Sequence, residues 1–364
     1  MEKQWYYCKL TPLGEYFFGG ERNFAFGNNQ KEKNDYFIKS EDVPSQSTLW
    51  GMLRYIILKK NNQLNNDWNV DEEKKDQQNN LIGKEGFSIQ SIGERKDYGK
   101  LDSMTPLFLV KNNHRYIKTP FNHQIEAESY TPFTMKTGFF TEFGESILPM
   151  DYSAKKGIDD SFLCINDDNK TRIKKEDIFG VHEHTRISKS STEEGFFKKE
   201  YKSLKNGFSF GFYVKADLEA FPKKDIVYLG QDKSTFSIEV IEVNPVDVQD
   251  FYARCCSINT ATSYQDICIY VALGDTYAQL NETIETMILY SIIDKKLFRS
   301  LVKSSSKASF KESSSKSQLY QLIKAGSVFY VLKEKAGEFE KCFKNPSLEQ
   351  IGLNCIVKLT GGEK

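Results

Sequence analysis

Two histidines stand two residues apart in the run His182-Glu183-His184, and the chain has four histidines in all. In an extended strand, residues two apart share a face, so both imidazoles are expected on one side. Such a pair is compatible with general acid–base cleavage of RNA, with hydrogen bonds to phosphate or 2′-hydroxyl groups, or with an ordinary polar strand surface. A metal is the weaker reading, because no third ligand stands at a recognisable spacing. Other catalytic signatures are missing. There is no Walker A run, no G-x-G-x-x-G after a strand, no H-E-x-x-H and no G-x-S-x-G.

Phosphate-binding chemistry has more candidates. From Asp294 to Lys324 there are eight basic residues, Lys307, Lys311 and Lys316 among them, against two acidic ones. The intervening serines add neutral donors, so this Ser/Lys tract suits a sequence-independent backbone clamp as well as a solvated loop. A second set, Arg186, Lys189, Lys198, Lys199, Lys202 and Lys205, is diluted by Glu193, Glu194 and Glu200 and fits a charged sheet edge. The third is the start of a helix after Pro44. There the hydroxyls of Ser45, Ser47 and Thr48 and the free amides suit either a phosphate or a plain N-cap.

The elements that must hold these residues follow from the hydrophobic pattern. Residues 4–10 read as a first strand, followed by a Gly-rich loop, Gly19 to Gly27, that contains Arg22 and Asn23. Leu49, Met52, Leu53, Ile56 and Ile57 give the apolar stripe of a helix, with Gln46, Trp50 and Arg54 four apart on another face. Residues 61–80, rich in Asn, Gln and charge, read as a long loop. A hairpin is expected around Asn112-Asn113. Residues 121–150 show no period and read as a large loop insertion, although Phe133, Met135, Phe139 and Phe140 are too apolar for a free loop. A short helix at 174–179 precedes strands near 184–188, 195–203 and 207–215. The second half opens with a helix at 246–257 and a strand from Ile267 to Ala272. Residues 280–293 fit helix or strand, and 303–317 fit a flexible loop.

The totals bound the answer. At 364 residues the chain suits two domains. Phe and Tyr number 27 and 19, enough to fill a strand-rich core. Fifty basic residues balance fifty acidic ones, so a nucleic-acid site must be a local patch or belong to an assembly that supplies further charge. The seven cysteines form no C-x-x-C pair, which points to a reducing cytoplasm. No signal peptide and no membrane span are expected, nor any cofactor.

One pattern occurs twice. Phe212 to Lys215, Asp217 to Phe221, Leu229-Gly230 and Phe236 to Val243 read as strand, short acidic helix, Gly turn and strand. Phe329 to Leu332, Gly337 to Glu340, Ile351-Gly352 and Asn354 to Leu359 repeat it. This is the second half of a βαββαβ unit. The expectation is an α+β protein of tandem ferredoxin-like (RRM-like) domains with long loop insertions. One domain spans 1–243, with insertions at 61–100 and 121–170; the other spans 244–364.

Three stretches resemble RAMP subunits of type III CRISPR effectors: LTPLGEYFFGGERNFAFG with VPSQSTLWGMLRYII, GVHEHTRISKSSTEEGFFKKEYKSLKNGFSFGFYVKA, and KAGSVFYVL. Taken in order they are most similar to the third subunit of the Cmr (type III-B) complex, and they cover about a third of the chain. The helix-start motif falls on Pro44, Ser45, Gln46, Ser47, Thr48, Gly51 and Arg54. The middle motif falls on Arg186, Thr192, Glu193, Glu194 and Gly195. The resemblance implies a non-catalytic subunit that grips the 5′ tag of crRNA. It would sit between the large polymerase-like Cas subunit and a backbone RAMP subunit, and meet target RNA only indirectly, in antiviral defence. A Gly-rich loop usual in the family falls on Leu229 to Ser234, where only Gly230 survives. The competing reading is a RAMP endoribonuclease that processes crRNA precursors with His182 or His184. Such enzymes usually carry a histidine near the first helix, and here none precedes His114.

Overall fold

Alternate residues of the first strand, Lys3–Pro12, bury Tyr6, Cys8 and Leu10, as a half-covered strand should. The structure, a computed structural model, describes residues 3–360 apart from 25–35, 65–71, 90–92, 143, 151, 153, 154, 156, 190–193, 206, 218, 231, 259–265, 279–281, 300, 303–314 and 317. It is a mixed α+β protein, rich in sheet and with few helices among the described residues.

Lys3–Pro12 lies between Ser209–Asp217 and Ser234–Val243 and is antiparallel to both. Ser209–Asp217 pairs on its other side with Leu101–Met104 and Phe108–Lys111, again antiparallel. Counting only Lys3–Pro12, Phe108–Lys111, Ser209–Asp217 and Ser234–Val243, the order across this nine-stranded sheet is second, third, first, fourth. The sheet continues through the hairpin Phe108–Lys111/His114–Lys118, whose turn residues Asn112 and Asn113 take positive φ as a two-residue turn requires. Helix Gln46–Lys60 covers one face and buries Leu49, Met52, Leu53, Ile56 and Ile57, the stripe expected from the sequence.

The C-terminal sheet repeats the order. Ile267–Ala272 lies between Val328–Leu332 and Ile356–Lys358, and Ile288–Ile292 lies outside Val328–Leu332, all antiparallel. Phe212 faces Cys8 in one sheet and Phe329 faces Tyr270 in the other, each in the third strand. Helix Ala336–Phe343 drives Phe339 and Phe343 against Phe329, each with ring centroids 5.4 Å away.

The two halves share a core. Helix Pro245–Cys256, held at its start by a capping box of Asn244 and Asp247, sets Phe251 against Phe108 at 4.8 Å and Tyr213 at 6.0 Å. The same apolar cluster takes in Val271, Val328 and Tyr330 of the second sheet. Asn122 donates to the Tyr330 hydroxyl at 2.8 Å across the junction.

Several expectations change. Gly19–Phe24 is a strand rather than a loop, because Tyr36–Ser40 folds back on it. Within 61–80 the chain forms helix Glu72–Ile82, with Glu72 and Glu73 in its first turn and no buried residue, a polar helix that burial patterning cannot reveal. Residues 121–150 contain a hairpin, Met135–Thr141 with Gly144–Pro149. It buries Met135 and Ile147 and accepts no loop description, since Ser146 donates to Leu289 O at 2.7 Å. The acidic helix expected at 217–221 is absent among the described residues of that stretch. Glu219 takes φ 58°, which ends any helix, and the edge strand Lys224–Leu229 follows instead. Residues 280–293 divide into helix Glu282–Glu285 and strand Ile288–Ile292. Of the tract 303–317, Ser315–Lys316 pairs with Leu301–Val302, and the rest lies outside the described residues.

Candidate nucleic-acid interface

A separate four-stranded sheet gathers the residues that the sequence singled out at opposite ends of the first half. Its order is Phe179–Lys189, Glu194–Leu204, Tyr36–Ser40, Gly19–Phe24. The first pair is antiparallel, with His184 opposite Lys199 and Arg186 opposite Phe197. Glu194–Leu204 runs parallel to Tyr36–Ser40, with Lys199 beside Ile38. Tyr36–Ser40 is antiparallel to Gly19–Phe24, with Ile38 opposite Arg22 and Phe37 opposite Asn23. His184, Lys199, Ile38 and Arg22 thus form one row across the sheet, about 14 Å long at the usual strand spacing. Arg186 stands one row from Asn23 and two from Arg22, and Lys189 ends the outer strand. Thr192, Lys307 and Lys311 lie outside the described residues, and Lys316 is placed only as a strand position.

The two histidines share a face, as their spacing requires. Both meet one carboxylate: Glu15 lies 3.3 Å from His182 Nδ1 and 2.6 Å from His184 Nε2. His182 Nε2 is 2.9 Å from Ser203 Oγ, and His184 packs edge-on against Tyr201 with centroids 5.0 Å apart. The imidazoles are 41% and 46% exposed, so a ligand can reach them. A carboxylate that orients an imidazole serves a fixed hydrogen-bond donor and an acid–base group equally well. Among the described residues no group of three or more His, Cys, Asp and Glu side chains is placed to hold a metal ion. Glu15 and Ser203 gave no sequence signal, because only the tertiary fold brings Glu15 next to His184.

The second basic set divides. Arg186 and Lys189 lie on the edge strand Phe179–Lys189, as expected, whereas Lys198, Lys199 and Lys202 lie on the interior strand Glu194–Leu204, where Lys199 and Lys202 are buried. Lys199 is paired with Asp232 and sits 3.6 Å from the ring centroid of Phe17. Asp232 also accepts from the Tyr201 hydroxyl at 2.8 Å. Lys202 pairs with Glu200 at 2.7 Å and with Asp42 at 3.4 Å. Lys198 remains well exposed, 4.0 Å from Glu183. The loop after Leu229 therefore anchors the sheet through Asp232.

The helix start is a cap. Ser45 accepts from Thr48 N at 3.3 Å, and its hydroxyl lies 3.1 Å from that of Ser47 and 2.9 Å from that of Thr48. Gln46 is 6% exposed and donates to Thr105 O and Ile351 O, so it packs rather than faces a ligand. Arg54 is two turns further on and partly buried, its guanidinium directed at Gly83 O. Neither Gln46 nor Arg54 stands on the surface that the helix-start motif suggested, because the stripe they share turns inward. Beside this start lies a cleft of about 270 Å³ toward the C-terminal sheet, walled by Lys118, Lys175, Lys296 and Lys324. Each of these lysines is paired, with Asp160, Asp42, Asp275 and Asp294 respectively. Burial, with Lys175 nearby, pulls the Lys118 ammonium down to about 8.

The fold and this interface define an α+β chain whose nine-stranded and C-terminal sheets share one run of four antiparallel strands, with a third sheet on which His182 and His184 are exposed. The chain is 14% identical to a chain of the type III-B Cmr-beta bound to cognate target RNA and AMPPnP, covering 96% of each with a TM-score of 0.48. It is 12% identical to a chain of the Csm1-Csm4 cassette in complex with pppApA, covering 99% of this chain and 95% of that one, TM-score 0.36. It is 10% identical to a chain of the Csm3-Csm4 subcomplex in the type III-A CRISPR-Cas interference complex, covering 90% and 94%, TM-score 0.36. No protein-family model and no curated protein matches.

Proposed function

We propose that this chain is a RAMP subunit of a type III CRISPR effector, most like the third subunit of the type III-B Cmr complex, and that it binds guide RNA without cutting it. It consists of two ferredoxin-like units, 1–243 and 244–364, with the first helix-bearing crossover of each unit enlarged or reduced. The second-third-first-fourth antiparallel order, present in both sheets, supports that architecture. The observation that carries the functional reading is the register of the four-stranded sheet. It joins Arg22 and Asn23, from the first resembling stretch, to His184 and Arg186, from the second. Two distant pieces of the resemblance thereby meet in one sheet, with Arg22, His184 and Arg186 in rows of the same parity.

Arg22, Arg186 and Lys189 hold phosphates of the crRNA 5′ tag, and His182 and His184 add donors oriented by Glu15. The large polymerase-like Cas subunit and a backbone RAMP subunit are the protein neighbours, and target RNA is met through the guide. The test is to purify the chain from its native cytoplasm, extract RNA and identify partners by mass spectrometry. Absence of crRNA and of Cas proteins would sink the reading.

Phosphate contacts make a quantitative prediction. Arg22→Ala or Arg186→Ala should lower crRNA retention and reduce the slope of log affinity against log salt by roughly one per lost contact. Preference for the tag sequence should survive both changes. Purified protein incubated with repeat RNA should leave it intact, with or without His182→Ala. Cleavage that His182→Ala abolishes would put the crRNA-processing endoribonuclease in place of the scaffold.

A further inference from the structure

Helix Gln46–Lys60 turns a second stripe inward, Gln46, Trp50 and Arg54, spaced four apart so that they lie on one face. Trp50 and Tyr98 are each 1% exposed, and their rings meet edge-on with centroids 5.0 Å apart. Along this stripe and at Tyr98, four buried polar atoms have no hydrogen-bond partner among the described residues: the acceptor Gln46 Oε1, one turn before Trp50, and Trp50 Nε1, Arg54 Nε and the Tyr98 hydroxyl. Of the last three, two are obligate donors and the third is a hydroxyl that can donate.

Arg54 has the greater need. Among the described residues its guanidinium makes one long hydrogen bond, 3.4 Å from a terminal nitrogen to Gly83 O. No carboxylate among the described residues forms an ion pair with it. Burial lowers the guanidinium pKa, and burial raises the Tyr98 hydroxyl to about 12. A guanidinium nonetheless keeps its charge at neutral pH, and a buried charge without a counter-charge is costly. Natural interiors do not leave several donors and a cation together without an acceptor.

We propose that Trp50, Arg54 and Tyr98 form a binding site for a small inorganic monoanion of the halide class. One guanidinium matches one negative charge. Glu85, which bears on Tyr98, is already paired with Lys96 at 2.7 Å, so the local excess is the single positive charge of Arg54. A phosphate of an RNA chain cannot reach two groups that are 1% exposed, so this site is independent of the RNA-binding reading and stands or falls alone. Its structural role is to clamp the segment after helix Glu72–Ile82 onto the long helix. Gly83 and Gly99 bring that segment close. A Cβ on Gly83, at φ 76°, would fall 2.1 Å from Asp97 O, next to Tyr98.

The test compares thermal unfolding in chloride with unfolding in gluconate at equal ionic strength. Chloride should raise the midpoint by about 2–4 °C in the wild type, and the rise should vanish in Arg54→Met. Crystals soaked in bromide should show an anomalous peak among the three side chains. Should Arg54→Met fail to fold, Tyr98→Phe serves, with a reduced chloride response expected. Superimposed chloride and gluconate curves would overturn the proposal. So would a full chloride response in the variants, or an ordered water in place of bromide.

Discussion

Asp159 shows what a single carboxylate does for this fold. Its pKa is lowered from 3.8 to about 2, first by the hydrogen bond with His123, 3.3 Å away, against burial and with help from Ser161 and Arg172. The Arg172 guanidinium lies closer, at 2.6 Å, and also donates to Ile125 O. A depressed carboxylate stabilises the folded state above its unfolded pKa, and that contribution is lost as pH falls through the folded value. The window here runs from about pH 4 down to about pH 2, and after solvent screening the contribution is about 1–2 kcal/mol. Asp159→Asn should therefore lower the urea midpoint at pH 6. The gap to wild type should shrink as pH drops from 4 to 2, and a gap independent of pH would refute the linkage. The sequence showed that His182 and His184 share a face, because a strand's period of two is local. It did not show His123 with Asp159 and Arg172, or Glu15 with His182 and His184, because no spacing rule encodes those meetings.

At the scale of elements, the long helix separates capping from ligand binding. Ser45, Ser47 and Thr48 satisfy one another and the Thr48 amide. Ser45→Ala should cost about 1 kcal/mol of stability and leave crRNA retention at the wild-type level, measured by denaturant melts and RNA extraction in parallel. A normal melt with lost RNA would return the helix start to the RNA site. The helix itself was legible because its stripe has a 3.6-residue period, as was the hairpin at Asn112-Asn113. Helix Glu72–Ile82 was not, since only Leu81 and Ile82 at its end reach the core, too few to give an apolar period. The strand Gly19–Phe24 was hidden by its glycines, which favour loops until a partner strand fixes them.

For the whole molecule, Phe251 is the central wedge, 1% exposed and in ring contact with Phe108, Tyr213 and Tyr252. Because the cluster around it spans both sheets, unfolding should be a single cooperative transition. Phe251→Ala should cost about 3–5 kcal/mol. Fluorescence and amide exchange in the two halves should still lose structure together, and a split into two transitions would mean that the halves are stabilised separately. The sequence by itself determined where the first strand, the strand Ile267–Ala272 and the long helix lie. Those features depend on neighbours a few residues away, so periodicity records them. The tertiary structure alone decided that a strand replaces the acidic helix after Asp217 and that Lys199 and Lys202 are buried. It alone put Arg22 in the same sheet as Arg186. These outcomes depend on which distant strand supplies hydrogen bonds and counter-charge, and that choice is made only when the chain closes on itself.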